Sequence, residues 1–521
     1  MDDDLPTDFQ VIVVGTGMVE SIVAAACSRI GKNVLHLDSS DHYGGLWASY
    51  NFDGLQKFIK EVNADPKRQQ QVYNVSENWY IEKDAPQEEE KKEDGEESKE
   101  PARKVWSQAS FAAEYRKFNI DMTPKLLFSR GPLVELLISS NIARYAEFRC
   151  VTRVLTWLDG RLAPVPCSRA DVFATEAVGI VEKRQLMKML TSIVGYNEEE
   201  MNNEFKDWND KTFKEYLTHK GLTPTLVHYV LFAIAGGDNH MPCLEGVREC
   251  KKFLMSLGRY GNTPFLWPMY GSGELPQCFC RLCAVFGGVY CLNRPIDKVE
   301  SKTVEEGKTQ VTIASKSKTL NCDHLVIGIN DCPKELLSDE SGERCDISKG
   351  VFITNASMLA SEKEPLTLLR FPPLGDSEHA VTVLEVGPAT GSCPKGLFVV
   401  YFITNKVKDA ESDLMPYAEK IFHMGPGESP DDRPKCLWSL VYNVADTSLG
   451  AASGAAGVHV CAGPDAGLDF DRAVHQAEQI FKQICPGSEF LPRAPDPEEI
   501  VFEDGAAPGP EFERGDKDDK Q

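Results

Sequence analysis

The sequence predicts an α/β chain in which a nucleotide-fold domain is interrupted by a smaller, all-helical domain. Three observations carry that expectation. The chain opens as strand, helix and strand within its first 38 residues. From 167 to about 235 it keeps helical spacing throughout. Between these, from about 82 to 103, nearly every residue is charged, which marks an insert rather than part of either domain.

Val11-Ile12-Val13-Val14 is a short apolar run ending at Gly15, as a strand buried on both faces should read. Residues 18–30 read as a helix, and Val34-Leu35-His36-Leu37 as the next strand, ending at Asp38. His36, inside that strand, is expected to be packed core. The charged stretch contains Glu88-Glu89-Glu90-Lys91-Lys92-Glu93-Asp94 and has nothing with which to build a core. Order returns at Trp106. Residues 125–139 read as an apolar helical stretch interrupted at Gly131-Pro132, and 151–165 as a hairpin turning at Asp159-Gly160. Farther on, Leu186, Met189, Leu190 and Ile193 recur at helical spacing, as do Leu226, Val230 and Ala233. The expected division is 1–166 for the first part of the α/β domain with its insert at 82–103, and 167–240 for the helical domain. Residues 241–491 return to the α/β domain, and 492–521 form an acidic, Pro-rich tail.

A net charge of −23 over 521 residues argues against a nucleic-acid binder, because phosphate recognition needs clustered Lys and Arg. The acidic start Met1-Asp2-Asp3-Asp4 runs straight into a strand, no apolar run reaches membrane-spanning length, and the end Asp518-Asp519-Lys520-Gln521 is no prenylation box. The expectation is a cytosolic chain, and any lipid it handles belongs to a partner. Sixteen cysteines are then kept as thiols. The tight cluster Cys278, Cys280, Cys283 lacks the second pair a zinc site needs and suits one helix, so it reads as structural.

Gly15-Thr16-Gly17-Met18-Val19-Glu20 begins like a dinucleotide fingerprint, with Asp38 about where a ribose-binding acid would sit. Glu20 stands in place of the last glycine. A carboxylate there repels a pyrophosphate and can itself satisfy the helix amides. Cys461-Ala462-Gly463-Pro464-Asp465, followed by a helix from about Arg472, is similar to the late Gly-Asp segment of flavoproteins and keeps a bound FAD in view as the alternative. The expectation is that the fold was kept and the cofactor lost. Zinc-protease, nucleophile-elbow and phosphate-loop motifs are lacking, which favours a binding protein with no catalytic residues and no metal.

Several segments together resemble the family of Rab GDP dissociation inhibitors and Rab escort proteins. They are Gly15-Thr16-Gly17, Asp41-His42-Tyr43-Gly44-Gly45, Phe118-Asn119-Ile120-Asp121 with Pro124-Lys125, and Arg144-Tyr145-Ala146-Glu147-Phe148. Val181-Glu182-Lys183-Arg184, Arg259-Tyr260-Gly261 and Gly273-Glu274-Leu275-Pro276-Gln277 follow in family order. Beyond about residue 300 the likeness thins until the Cys461 segment.

The resemblance implies a flavoprotein-like, multisheet first domain with a Rab-binding platform, and a helical second domain that handles prenyl groups. The platform's motif positions fall on Tyr43, Glu274 and Arg281. In a helix, Gln277 shares a side with Glu274 and Arg281, while Leu275, Phe279, Leu282 and Phe286 form a neighbouring stripe suited to burial. The segment Gly287-Gly288-Val289-Tyr290-Cys291 departs from the inhibitors, which typically carry Thr and Met at 289 and 291, and looks like the escort branch. So do Trp106-Ser107-Gln108 and Pro166-Cys167-Ser168-Arg169-Ala170-Asp171-Val172-Phe173.

In the escort branch the positions of Phe173 and Arg184 contact the α subunit of Rab geranylgeranyl transferase. Leu186, Leu190, Ile193 and Tyr229 fit either a prenyl slot or ordinary core; Leu137 and Ile142 are candidates for holding the Rab's C-terminal tail. The resemblance thus implies an escort that binds GDP-bound Rab, docks the transferase α/β heterodimer, shields the geranylgeranyl groups and delivers the Rab to a membrane. A Rab GDP dissociation inhibitor and a FAD-dependent oxidoreductase are the two alternatives.

Overall fold

The computed structural model describes residues 5–66, 68–84, 105–168, 171, 179–199, 204–303, 309–337, 346–375, 377–425, 427, 429, 431–448 and 455–493. The acidic insert, apart from 82–84, and the tail beyond Arg493 lie outside them.

The opening forms as the apolar runs dictate. Strand Asp8–Val14, helix Met18–Arg29 and strand Val34–Leu37 make a parallel pair with Val11 opposite Val34 and Val14 opposite Leu37. Val289–Cys291 adds beyond 34–37, and Lys318–Gly328 beyond 8–14, both parallel. The long strand 318–328 serves two partners. Its first half turns back as a hairpin on Thr309–Ser315, and its second half runs parallel to Val458–Cys461. Helix 18–29 crosses this seven-stranded sheet between helices Glu274–Val285 and Asp471–Ile484. Its alanines and Cys27 are wholly buried, and that lets three helices approach closely.

A second, eight-stranded sheet runs in the order 72–79, 436–444, 347–354, 398–405, 381–386, 367–371, 153–158, 161–164. Successive side chains point to opposite faces. Leu369, Phe352 and Phe402 therefore pack under helix Ala410–Ile421, while Leu368, Val351 and Tyr401 face the other core. The Asp159-Gly160 turn has φ of +52° and +78°, the two positive values a two-residue hairpin of this twist requires.

Two sequence expectations change here. In 125–139 only Pro132–Ser139 is helical; Leu127–Phe128 is a short strand paired with Phe265–Pro268. Gly131-Pro132 is thus a helix start, not an interruption. The helical layer, helices Ile180–Val194, Phe213–His219 and Pro224–His228 and the π-helix Tyr229–Ile234, also continues past 240. Helix Cys243–Ser256 packs on 180–194 and 213–219. The π-helix rests on strands 153–158 and 367–371 and joins the helical layer to the second sheet.

Candidate functional site

The helix 274–285 is held at its start by one buried carboxylate. Asp121 Oδ2 accepts from the Ser272 amide at 2.8 Å; Oδ1 accepts from the Ser49 hydroxyl, which in turn accepts from the Gly273 amide at 2.9 Å. Burial pushes the Asp121 carboxyl up to about 7, against the lowering effect of these donors. The carboxyl thereby fixes, directly and through Ser49, the two residues that lead into the helix. This accounts for Asp121 in the quoted motif.

Tyr43, Glu274, Gln277 and Arg281 come together around a surface cleft of about 380 Å³. Gln277 and Arg281 are exposed, Tyr43 and Glu274 half-buried. Burial raises the Glu274 carboxyl above its ordinary value. The sequence reading missed the other walls of the cleft. The Arg281 guanidinium lies 4.9 Å from the centre of the Tyr145 ring, and Tyr290 meets Tyr43 edge-on at 6.0 Å. Tyr145 stood within a quoted motif, but nothing in its local pattern says that it faces residue 281. Cys278 and Cys280 form part of the wall with their thiols buried; burial pushes them to about 11 and about 12, so they act as packing atoms. Cys280 Sγ touches Ser21 Oγ at 3.2 Å. Phe286 does not join the buried stripe. It caps the helix, 36% exposed, with the Arg29 guanidinium 4.4 Å above its ring.

In the helical layer an apolar cavity of about 290 Å³ is lined by Leu186, Leu190 and Tyr229 together with Leu226, Val230 and Phe253. Ile193 is not among them. It is wholly buried on the inner side of helix 180–194, as ordinary core. Phe253 and Leu254 come from the helix beyond residue 240, and Leu257 from the residue that caps it. Their spacing was legible as an apolar face, but the domain boundary hid their partner. Val194, 38% exposed, also borders the cavity.

Leu137 and Ile142 are a correction. They are 2% and 0% exposed inside the core under helix 18–29, so neither presents a surface to a tail; their exposed neighbours are Ile138 and Tyr145. Phe173 lies outside the described residues. Arg184 is exposed on the second turn of helix 180–194, beside Ile180 and Val181, which are 72% and 73% exposed.

The dinucleotide motif tests the flavin alternative. Gly15, Gly17, Glu20 and Asp38 line a cavity of about 440 Å³ over the first sheet. The space above the glycines is filled from within. A Cβ on Gly17 would stand 2.5 Å from Glu20 Oε2, and one on Gly328 2.7 Å from Glu20 Oε1. Asp38 Oδ2 accepts from the Thr16 amide and hydroxyl at 2.9 and 2.6 Å, and Oδ1 from the Ser40 amide at 2.7 Å, so the acid already ties its own loop together. Asp465, the late acid, bonds the Lys125 ammonium at 2.5 Å; Lys125 is 1% exposed and also donates to the Gly467 carbonyl. Glu20 thus stands among the glycines of the motif, and Lys125 takes up the late acid. Asp465→Asn should destabilise the chain by about 3–5 kcal/mol, because it strands a buried ammonium. Urea unfolding at neutral pH measures it, and a change under about 1 kcal/mol would refute the assignment.

Burial pushes the Glu20 carboxyl up to about 8, and Asp331 and Asp38 add to the rise. A raised value in the folded state means that stability is fully present below the unfolded value of about 4.5 and is lost as pH rises towards 8. Glu20→Gln removes that slope. Relative to the parent chain, the variant should gain about 1 kcal/mol per pH unit between pH 5 and 8, read by urea unfolding. Parallel pH profiles for the two proteins would show that Glu20 ionises normally.

The comparisons with known proteins agree with this geometry. The family model described as "GDP dissociation inhibitor" matches residues 1–82 and 103–341, skipping the charged stretch, and "RAE1/2 domain I, C-terminal region" matches 347–466. The likeness therefore continues through the stretch after residue 300 where motifs alone looked thin. The Drosophila melanogaster protein named "Rab proteins geranylgeranyltransferase component A" is 38% identical over 97% of this chain and 94% of its own length. Among solved structures, a Rab GDI from Plasmodium falciparum superposes with a TM-score of 0.65 over 92% of this chain and 99% of that one, at 17% identity. An oxidoreductase from Methanosarcina mazei gives 0.54 over 91% and 100%, at 12%. At such identities the two structures speak for the fold alone, and that fold is flavoprotein-like. The chain belongs to the Rab geranylgeranyltransferase component A proteins, the Rab escort branch of the GDP dissociation inhibitor family.

Proposed function

We propose that the chain is a Rab escort. It binds GDP-bound, unprenylated Rab GTPases across the cleft of Tyr43, Glu274, Gln277 and Arg281, and presents them to the Rab geranylgeranyl transferase heterodimer. It then shields the geranylgeranyl groups in the apolar cavity of the helical layer and delivers the Rab to a membrane. The observation that supports this reading is the pairing of a polar platform cleft with a separate apolar cavity in one chain. Its relatives carry the name of a transferase component along nearly their whole length. In this reading Phe173 and Arg184 dock the transferase α subunit; an aromatic beside an arginine is a usual composition for such an anchor. In this reading the chain works in the cytosol and supplies neither a catalytic group nor a flavin.

The test is a reconstituted transfer assay with Rab-GDP, the heterodimer and labelled geranylgeranyl diphosphate. Label should reach Rab only when this chain is added. Transfer at the same rate without it would overturn the escort reading.

A further inference from the structure

The platform helix 274–285 ends in an apolar corner. Val285 is 62% exposed, Phe286 36% and Val289 37%, grouped where the chain turns through Gly287. Arg281 stands one helical turn before Val285, on the same side. Exposed apolar residues scattered singly are ordinary; a group of them beside a charged cleft marks a docking surface.

What covers the corner follows from where the last described residues lie. Arg29 Nε donates to the Pro492 carbonyl at 3.1 Å, and the same guanidinium stands 4.4 Å above the Phe286 ring. The chain thus reaches this corner with residues 494–521 still to run. Those residues hold one run of large apolar side chains, Ile500-Val501-Phe502, set between Glu498-Glu499 and Glu503-Asp504. Ile500 comes soon after Arg493 in the sequence, and the extended chain between them spans at most about 25 Å. The charges match as well. The flanks of the run are carboxylates, and the corner presents Arg29 and Arg281 in a chain whose net charge is −23.

We propose that residues 498–504 fold back onto this corner and compete with Rab for the platform. Ile500, Val501 and Phe502 lie against Val285, Phe286 and Val289, and the flanking carboxylates turn toward Arg29 and Arg281. A short tether holds such a segment at an effective concentration on the order of mM, so a weak contact suffices. The consequence for Rab rests on the platform reading; the docking does not.

The test uses the full chain with a photoreactive benzophenone side chain in place of Phe502. Irradiation without Rab should join the tail, within one chain, to the tryptic peptide that begins at Leu282, as read by mass spectrometry. Excess Rab-GDP should suppress that product. A crosslink between two chains would make a second copy the occupant, and a crosslink only to other peptides, or none, would remove the contact. Each of these outcomes overturns the proposal. The double variant Ile500→Asp, Phe502→Asp should bind Rab-GDP about 5-fold more tightly, the gain expected when a tail covers the platform about four-fifths of the time. Unchanged Rab affinity overturns the competition. Should Arg281→Glu also leave Rab affinity unchanged, the platform reading itself fails, while the crosslink still decides the docking.

Discussion

Arg281→Glu is expected to lower the affinity for GDP-bound Rab by about 100-fold or more, with no change in thermal midpoint. The two halves of that expectation have separate causes. Arg281 is exposed and its guanidinium rests on the face of Tyr145, so the fold loses little when it changes. The cleft, however, already holds Glu274 half-buried, with burial working against its charge. A second carboxylate there sets like charges against whatever anion Arg281 meets on the partner. Juxtapositions of this kind cost several kcal/mol, and 100-fold is about 2.7. Arg281→Lys should fall between, because an ammonium keeps the charge but neither the planar stack nor a two-pronged hydrogen bond. Fluorescence titration against labelled Rab-GDP measures all three proteins. An affinity within about 3-fold of the parent for the Glu variant would remove Arg281 from the platform.

The grouping of these residues is readable from the sequence. Glu274, Gln277 and Arg281 fall on one side of a helix by periodicity alone, and Tyr43 reached them through a family motif. Tyr145 shows why the rest of the cleft was not readable. It lies 136 positions before Arg281, and its place depends on how helix 132–139 packs beneath helix 18–29, which no local pattern states.

The failures share a cause. Leu137 and Ile142 were chosen because they are apolar, and apolarity at helical spacing marks a buried face as readily as a binding face; here the core took both. The same ambiguity divided the prenyl quartet, sending Leu186, Leu190 and Tyr229 to the cavity and Ile193 inward. Glu20 is the opposite case. A charged residue in a glycine's place is improbable as core, so its intrusion into the dinucleotide motif could be read directly from sequence, and the structure adds only where its carboxyl comes to lie. Polar exceptions in apolar or glycine-rich patterns are more legible than apolar residues among their own kind.

Leu190→Trp tests the cavity of the helical layer, and its expected effect is selective. Leu190 lines the cavity from helix 180–194, opposite Leu226, Tyr229 and Phe253, and the larger indole takes up space inside a volume of about 290 Å³. In the proposed reading, binding of unprenylated Rab uses the platform and should stay within about 2-fold of the parent. The prenylated product, on the same reading, loses buried chain instead. Displacing four carbons at about 0.8 kcal/mol each weakens retention by about 3 kcal/mol, or roughly 200-fold. Release of labelled, geranylgeranylated Rab to liposomes measures it. Stability separates a filled cavity from a damaged fold. Overpacking costs about 1–3 kcal/mol, and Ile193→Ala, in core that does not line the cavity, should destabilise at least as much while retaining prenylated Rab normally. If both variants release the lipid alike, the loss is one of fold; if Leu190→Trp holds prenylated Rab as the parent does, the lipid lies elsewhere. Selective release from Leu190→Trp would place it here, against a π-helix whose irregular turn already departs from the regular ladder where Tyr229 and Val230 meet the cavity.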